Sequence, residues 1–442
     1  MKRFFAMLIS AVMMFSVVGC SSQSSDASSA DSGAASTEAP ASTDGSTSAG
    51  DEDTIKIGAL LSFTGSAAYQ SALLKEGYDY AVKYWNEQGG IKSMGGKKLE
   101  LVYADHTDNV EVGITEFERL KEQGCDIMTG DYSSGSVMLA VRPLCERYQI
   151  PYVVSQQSSL AVYTEENKWV FNPTNDASTN AQGLVGICQM IEEKFGDKID
   201  GIGFIVENTE WGQSQRASFE KSFGDAGLET IYSETFELGA TDFSAQITKM
   251  KATGVKFVIP VISAFNDAVV FVRQLKEYEC NAGLLCCGGV MVVPEFYETM
   301  GDDANGIFST DTWNPGFLPA RGEKALEIHQ GYVDEHGYKM NENAGCAWNS
   351  IAVIVAALEA AGSADGEAVQ KVLMEMDLPE DSEYMIMTPF EGMKFGFPDN
   401  NGNYGHNIYG LSSCSQLIDG EWEMVWPDRL LGENNPIQWP IG

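Results

Sequence analysis

Residues 130–159 read G-D-Y-S-S-G-S-V-M-L-A-V-R-P-L-C-E-R-Y-Q-I-P-Y-V-V-S-Q-Q-S-S, and the period of their apolar positions changes twice. The short apolar run Ile127-Met128-Thr129 leads into the stretch as a strand, and residues 150–155, with the β-branched pair Val153 and Val154, form a second strand. Between them Val137, Val141, Leu144, Cys145 and Tyr148 recur at helical spacing and define one buried helix face. Pro143 falls inside that helix, where a ring without an N–H kinks the helix or costs about 3 kcal/mol. The helical pattern nevertheless continues on both sides of it. Strand, helix and strand make a βαβ unit with hydroxyl-rich turns at the carboxyl ends of both strands. Ser133, Ser134, Gly135, Gln157, Ser158 and Ser159 therefore stand together where open α/β sheets take up small ligands.

Upstream, residues 54–61 alternate as a first strand, and Ser62-Phe63-Thr64-Gly65-Ser66 is the turn that opens the next helix. Leu74, Tyr78, Ala81, Val82 and Trp85 mark that helix's inner face, and Gly89-Gly90 ends it. A second strand over 98–105 and a helix over 112–122, stopped at Gly124, complete the approach to the central unit. Downstream, Val170-Phe171-Asn172-Pro173 and Asn175-Asp176 break the pattern, and a second alternating series begins. Helices are expected over 177–195, 210–224, 243–251 and 266–278, and strands over 201–206, 226–233, 256–262, 284–287 and 306–311.

Two halves of the same kind predict an α/β chain built as two doubly wound parallel-sheet lobes joined by a multi-strand hinge. Lobe I is expected over 54–172, with about 312–387 returning to it, and lobe II over 173–311, with about 388–442 returning to it. The return contains helices over 322–335 and 344–361, the second with a broad apolar face through Ile351, Ile354, Val355 and Leu358. Roughly the last fifty residues, rich in Gly, Asn and aromatics, read as β-hairpin structure. Asp399-Asn400-Asn401-Gly402-Asn403 resembles a calcium loop only superficially and reads as a tight turn. Its glycine falls at the fourth place, where an EF-hand needs it at the sixth, and the twelfth-place acid is missing.

Residues 1–20 read as a targeting segment. Lys2 and Arg3 are its positive start, 4–18 its apolar middle, and Val17-Val18-Gly19-Cys20 its end. A small residue directly before a cysteine is the pattern of a bacterial lipoprotein signal, in which the cut falls before Cys20 and its thiol carries diacylglycerol. An ordinary secretory signal with an incidental cysteine is the alternative. Residues 21–53 then read as a flexible tether, nearly all Ser, Ala, Thr, Gly and Asp. No later segment reads as long and apolar enough to span a bilayer. The domain is thus expected on the extracellular face of a bacterial cytoplasmic membrane, or its periplasmic side, meeting the membrane only through the lipid.

The formal net charge of −35 makes nucleic acid and anionic membrane surfaces poor partners. Eight cysteines besides Cys20 are scattered without C-x-x-C or histidines at zinc-ligand spacing, and read as small buried hydrophobes, with disulfide pairing left open. His106, His329, His336 and His406 are dispersed, and no G-x-S-x-G, H-E-x-x-H or phosphate-binding glycine loop occurs. Neither catalysis nor a metal or cofactor is expected.

Several segments carry a family resemblance by their order and spacing: I-K-I-G-A-L-L-S-F-T-G-S-A-A-Y from Ile55 to Tyr69, N-E-Q-G-G-I from Asn86, K-L-E-L-V-Y-A-D from Lys98, the S-S-G turn with I-P-Y-V-V-S, and T-D-F-S-A-Q-I-T-K-M-K from Thr241. From Ile55 to about Trp426 the chain resembles the substrate-binding lipoproteins of branched-chain amino acid ABC transporters, the type I periplasmic binding proteins. The resemblance implies two lobes that close over a small ligand, most simply a branched-chain or other amino acid, and deliver it to a membrane permease. A monomer is expected. It further implies that the turn Ser133, Ser134, Gly135 holds the ligand's carboxylate, with Gln157 contributing main chain and Ser159 a hydroxyl and an amide. Free N–H groups at a helix start suit an anion, although the same serines could simply cap the helix. Tyr69 matches an aromatic position of lobe I, Trp211 stands where the family has tyrosine in lobe II, and Phe265 falls near a third aromatic.

One departure bears on the ligand. Family members that hold an α-amino acid place a carboxylate after the strand aligned with 284–287, whereas here the turn reads Cys286-Cys287-Gly288-Gly289-Val290. Asp267 or Asp311 could substitute. Otherwise the ligand lacks an ammonium group and is a short amide, a urea-like molecule or an aromatic acid, because a buried ammonium without a partner costs several kcal/mol. A tethered ligand sensor is the remaining alternative.

Overall fold

The computed structural model describes residues 54–65, 67–130, 135–157, 159, 161–175, 177–397 and 404–440, apart from the side chains at 177, 178, 210, 211, 214 and 294. The chain divides into units 1–49 and 50–442, and the described residues all belong to the second. The expected signal, Cys20, the tether and the turn at 399–403 lie outside the described residues.

The first sheet is wholly parallel. β1 (Thr54–Leu61) pairs with β2 (Lys98–Asp105) from Thr54↔Lys98 to Leu61↔Asp105, and on its other side with β3 (Ile127–Gly130). β4 (Tyr152–Val154) and β5 (Val170–Phe171) extend it in the order β2-β1-β3-β4-β5. α1 (Ala68–Glu87), α2 (Val110–Glu122) and α3 (Gly135–Tyr148) are the crossovers. Leu74, Tyr78, Ala81, Val82 and Trp85 are all buried, as the periodicity predicts. In α3 the buried positions are Val137, Met138, Val141 and Cys145, while Leu144 and Tyr148 are only half-buried. Pro143 is accommodated because its side of α3 is exposed, so water can satisfy the carbonyl the ring leaves unpaired. At Gly130, φ is +126° and a Cβ would lie 2.1 Å from the Leu60 carbonyl oxygen, so the end of β3 admits only glycine.

The second sheet follows α4 (Ala177–Phe195). It contains β6 (Gly201–Glu207), β7 (Glu229–Phe236), β8 (Phe257–Val261), β9 (Gly283–Cys286) and β10 (Phe308–Asp311), linked through α5 (Glu210–Asp225), α6 (Ser244–Thr253), α7 (Phe265–Glu277) and α8 (Pro294–Met300). After α9 (Glu323–His336), α10 (Glu342–Ala361), α11 (Gly366–Glu375) and the short pair β11 (Leu378–Pro379) and β12 (Gly392–Met393), the chain returns as a hairpin of β13 (Ser413–Ile418) and β14 (Glu421–Trp426). The sheet order is β14-β13-β10-β9-β8-β6-β7. The hairpin joins antiparallel to β10, so this sheet is parallel only up to that edge.

Each sheet is covered on both faces, as a doubly wound sheet must be. The first has α1 and α10 in one apolar cluster and Phe117, Leu120, Val137 and Val141 in another. The second has Phe243, Met250 and Phe271 on one side and Leu184, Ile187, Phe219 and Phe223 on the other. α10 corrects one expectation. It is long and apolar enough by composition to cross a membrane, yet 83% of that window is buried in the fold, so it is a core helix. Phe390, Met393, Phe395 and Phe397 also pack in the α1–α10 cluster, so the stretch expected to rejoin the second lobe from residue 388 reaches its sheet only at Ser413.

Candidate ligand-binding cleft

In an open α/β sheet the crevice for a ligand opens where successive crossovers leave a strand in opposite directions. In the first sheet that reversal lies between β1 and β3, and in the second between β6 and β8. Tyr69, Gly135, Trp211 and Phe265 follow the strands at these two points, Gln157 and Ser159 follow the neighbouring β4, and Asp311 ends β10, two strands beyond β8.

After β1, the turn at Phe63 and Thr64 is fixed by Asp105 at the end of β2. Its carboxylate accepts from Phe63 N–H at 2.9 Å, the Thr64 hydroxyl at 2.6 Å and Thr107 N–H at 3.0 Å. Burial pushes this carboxyl up, but the donated bonds together hold it below the usual carboxylate range. Tyr69, in the first turn of α1, is 69% exposed and available to a ligand. Beyond β3, Gly135 opens α3 beside Ser159 and Gln157. A Cβ on Gly135 would lie 3.3 Å from Ser159 Cβ and 3.8 Å from Gln157 Oε1. Gln157 is buried, and its Oε1 accepts from Ser159 N–H at 3.0 Å. Its carbonyl accepts from the Tyr163 hydroxyl and from Asn172 Nδ2. That carbonyl is therefore committed to the loop. Ser133 and Ser134 lie outside the described residues.

At the second reversal, the buried Glu207 ends β6 and ties the two loops together, accepting from the Thr209 hydroxyl at 2.8 Å and from Ser263 N–H and Oγ at 2.7 Å. Thr209 caps α5 through Gly212 N–H, which places Trp211 in the first turn of that helix. Phe265 opens α7 and is shared between rim and core, its ring meeting Phe296 edge-on at 6.1 Å. Asp267 is buried and accepts from Gly239 N–H at 2.9 Å, tying down a neighbouring loop.

Asp311 ends β10, the strand next to β9 and its acid-free turn. Its carboxylate accepts from the Ser415 hydroxyl, and the following residue, Thr312, donates its N–H at 2.6 Å to Glu342 at the start of α10. Burial pushes both carboxyls up, and the neighbouring Glu342 raises Asp311 further, against donors from Ser415 and Asn314. No sequence signal singled out Glu342, which lies 31 positions further along the chain than Asp311, beyond α9. Nor did one single out Glu207 or Asn407.

Two of the segments crossing between the lobes are knitted by asparagines. Asn172 N–H donates to the Gly405 carbonyl at 2.7 Å, Asn407 N–H to the Asn172 carbonyl at 2.9 Å, and Asn175 Nδ2 to Ser412 Oγ at 2.7 Å. Among the described residues all eight cysteines are unpaired, seven of them buried and Cys287 partly accessible. No group of three or more His, Cys, Asp and Glu residues among them could hold a metal ion. A cavity of about 230 Å³ lined by Leu275, Cys280 and Leu284 lies at the amino end of β9, away from the strand ends that carry the candidate residues.

The family model described as periplasmic binding protein matches residues 54–409. A Leu/Ile/Val-binding protein homologue 7 of Brucella abortus is 26% identical over 391 residues, covering 85% of this chain and 92% of that protein. The branched-chain amino acid transporter substrate-binding protein of Streptococcus pneumoniae, solved in complex with isoleucine, superposes with a TM-score of 0.63 at 18% identity, covering 84% of this chain and 99% of that one. An ABC-transporter solute-binding protein of Rhodopseudomonas palustris, solved with 3,4-dihydroxybenzoic acid, superposes with a TM-score of 0.61 at 17% identity, covering 84% and 96%. Two doubly wound lobes and a hinge of crossing strands define a type I solute-binding protein. The chain belongs to the periplasmic binding protein family.

Proposed function

We propose that this protein is the solute-binding subunit of an ABC importer, held outside the cytoplasmic membrane by lipid on Cys20 and the tether of residues 21–53. The lobes are 54–172 with much of 312–411, and 173–311 with the β13–β14 hairpin. They close around a small amino acid, and the closed form docks on the permease. The observation that carries this reading is the placement of Tyr69 and Gly135 at the reversal of the first sheet, with Ser159 on the adjoining loop after β4, and of Trp211 and Phe265 at the reversal of the second. The carboxylate is assigned to the N–H groups at the start of α3, from Gly135 onward, and to the Ser159 hydroxyl, since the Ser159 N–H is already given to Gln157. Trp211 and Phe265 supply apolar wall.

A ligand that contacts both lobes only when they are shut shifts the population toward closure. Thermal-shift screening of the untethered domain, followed by calorimetry, tests the reading. A micromolar ligand at millimolar concentration adds about 4 kcal/mol to the folded state. A domain that responds to none of the amino acids, short amides, urea or aromatic acids would overturn it. The acid-free turn at Cys286 to Val290 favours a second reading, a ligand without an ammonium group. A response confined to aromatic acids or amides would select it.

A further inference from the structure

The cleft has no acid after β9, yet one strand closer to the hinge it has two. Ser309 of β10 pairs with Cys286 of β9, which puts Thr310 level with Cys287 and Asp311 just beyond it, about 5 Å away across the sheet. The Thr312 N–H to Glu342 bond at 2.6 Å brings the start of α10 to the same place. Among the described residues no lysine, arginine or histidine pairs with either carboxyl, and their partners are Ser415, Asn314 and Thr312. Asp311, Glu342 and Cys287 are each only partly covered, although protein surrounds them closely enough to penalise charge on all three.

Asn349 provides a second, independent sign. It is fully buried, and neither its amide nitrogen nor its oxygen has a hydrogen-bond partner. Glu342, Cys346 and Asn349 follow the i, i+4, i+7 stripe of α10, so the orphaned amide projects from the same helix face as Glu342. Cys346, between them on that stripe, is pushed well above the ordinary thiol range by burial and then by Glu342. Two turns beyond Glu342, the Asn349 amide calls for a polar partner, a ligand or a bound water.

We propose that Asp311 and Glu342 together receive the ammonium group of an α-amino acid, replacing the acid absent from the turn after β9. This rests on the cleft reading above. With Ser159 and Gly135 taking the carboxylate, Asp311 and Glu342 take the ammonium on the same α-carbon, and the ligand's side chain is left to Tyr69, Trp211 and Phe265. Two neighbouring carboxyls with no cation beside them repel one another and are penalised when charged, so an incoming ammonium is favoured there. The other titratable groups facing the pair, Cys287, Cys346 and Cys414, are raised by burial and remain thiols.

The test is calorimetry of the unmutated protein with the twenty standard L-amino acids, each paired with the acid that lacks its ammonium group, together with urea, acetamide and 3,4-dihydroxybenzoate. One amino acid should bind at least tenfold more tightly than its deaminated partner. Asp311→Asn and Glu342→Gln should each weaken it tenfold or more without weakening the deaminated acid. If either variant does not fold, the paired-ligand ratio of the unmutated protein decides. Equal binding of amino acid and deaminated acid, or a response only to ligands without an ammonium group, overturns the ammonium site and leaves the cleft intact. Silence from every ligand overturns both readings.

Discussion

Asn407 N–H donates to the Asn172 carbonyl at 2.9 Å, locking a return crossing of the hinge against the outgoing one. The Asn407 side chain adds four bonds. Its Nδ2 donates to the carbonyls of Pro173 and Gly392, and its Oδ1 accepts from Lys394 N–H at 3.1 Å and Tyr409 N–H at 3.2 Å. Asn407→Ala would leave buried main-chain groups without partners, at about 1–3 kcal/mol for each that water cannot reach. Calorimetric unfolding should show a melting temperature lower by several degrees, and an unchanged value would show that water replaces the side chain.

Asp105 holds the turn that delivers Tyr69. Because its native carboxyl lies below the usual range, it contributes stability that is present above the unfolded-state carboxyl value and is lost as pH falls through the folded one. Asp105→Asn should therefore lower the melting temperature at pH 7 and make the protein less sensitive to acid below pH 4. A variant that keeps the full acid dependence of the parent would place that dependence elsewhere.

The sequence makes the βαβ series legible because strands and helices impose different periods on buried positions. Val137, Val141 and Cys145 are found from spacing alone, and so are Leu74, Tyr78 and Trp85. Gly135, Gln157 and Ser159 are legible as a group because one βαβ unit brings together turns about twenty residues apart. Asp311 and Glu342 are separated by 31 positions and two helical segments, and no local pattern links them. A far longer separation hides Asn172 and Asn407, whose pairing depends on a chain that crosses the hinge repeatedly. Asp267 shows the opposite error, since an acid near the expected place is occupied by a neighbouring loop.

Trp211 stands at the first turn of α5, beside the Glu207–Ser263 tie that links the ends of β6 and β8. Under the closure model it meets the ligand only from the second lobe. Trp211→Ala should weaken binding at least tenfold, with the ligand-free melting temperature measured alongside to confirm that the variant folds. Small-angle scattering should also show a smaller ligand-induced compaction. Unchanged affinity would remove Trp211 from the site.

The Asp311–Glu342 pair makes a prediction about pH that needs no ligand. Both folded-state carboxyls lie above their unfolded values, about 3.9 and 4.3, so the folded chain holds these protons more tightly. As pH rises from the unfolded values through the folded ones, the native state loses stability relative to the unfolded chain, and the loss levels off once both groups have ionised. Glu342→Gln removes one charge and keeps an oxygen to accept the Thr312 N–H. In the ligand-free protein it should raise the melting temperature at pH 8 by about 2 °C or more and change it little at about pH 4, below the unfolded Glu value. The same gain at both pH values would assign the effect to packing, and a loss at pH 8 would mean that the ionised pair is already compensated in the empty cleft.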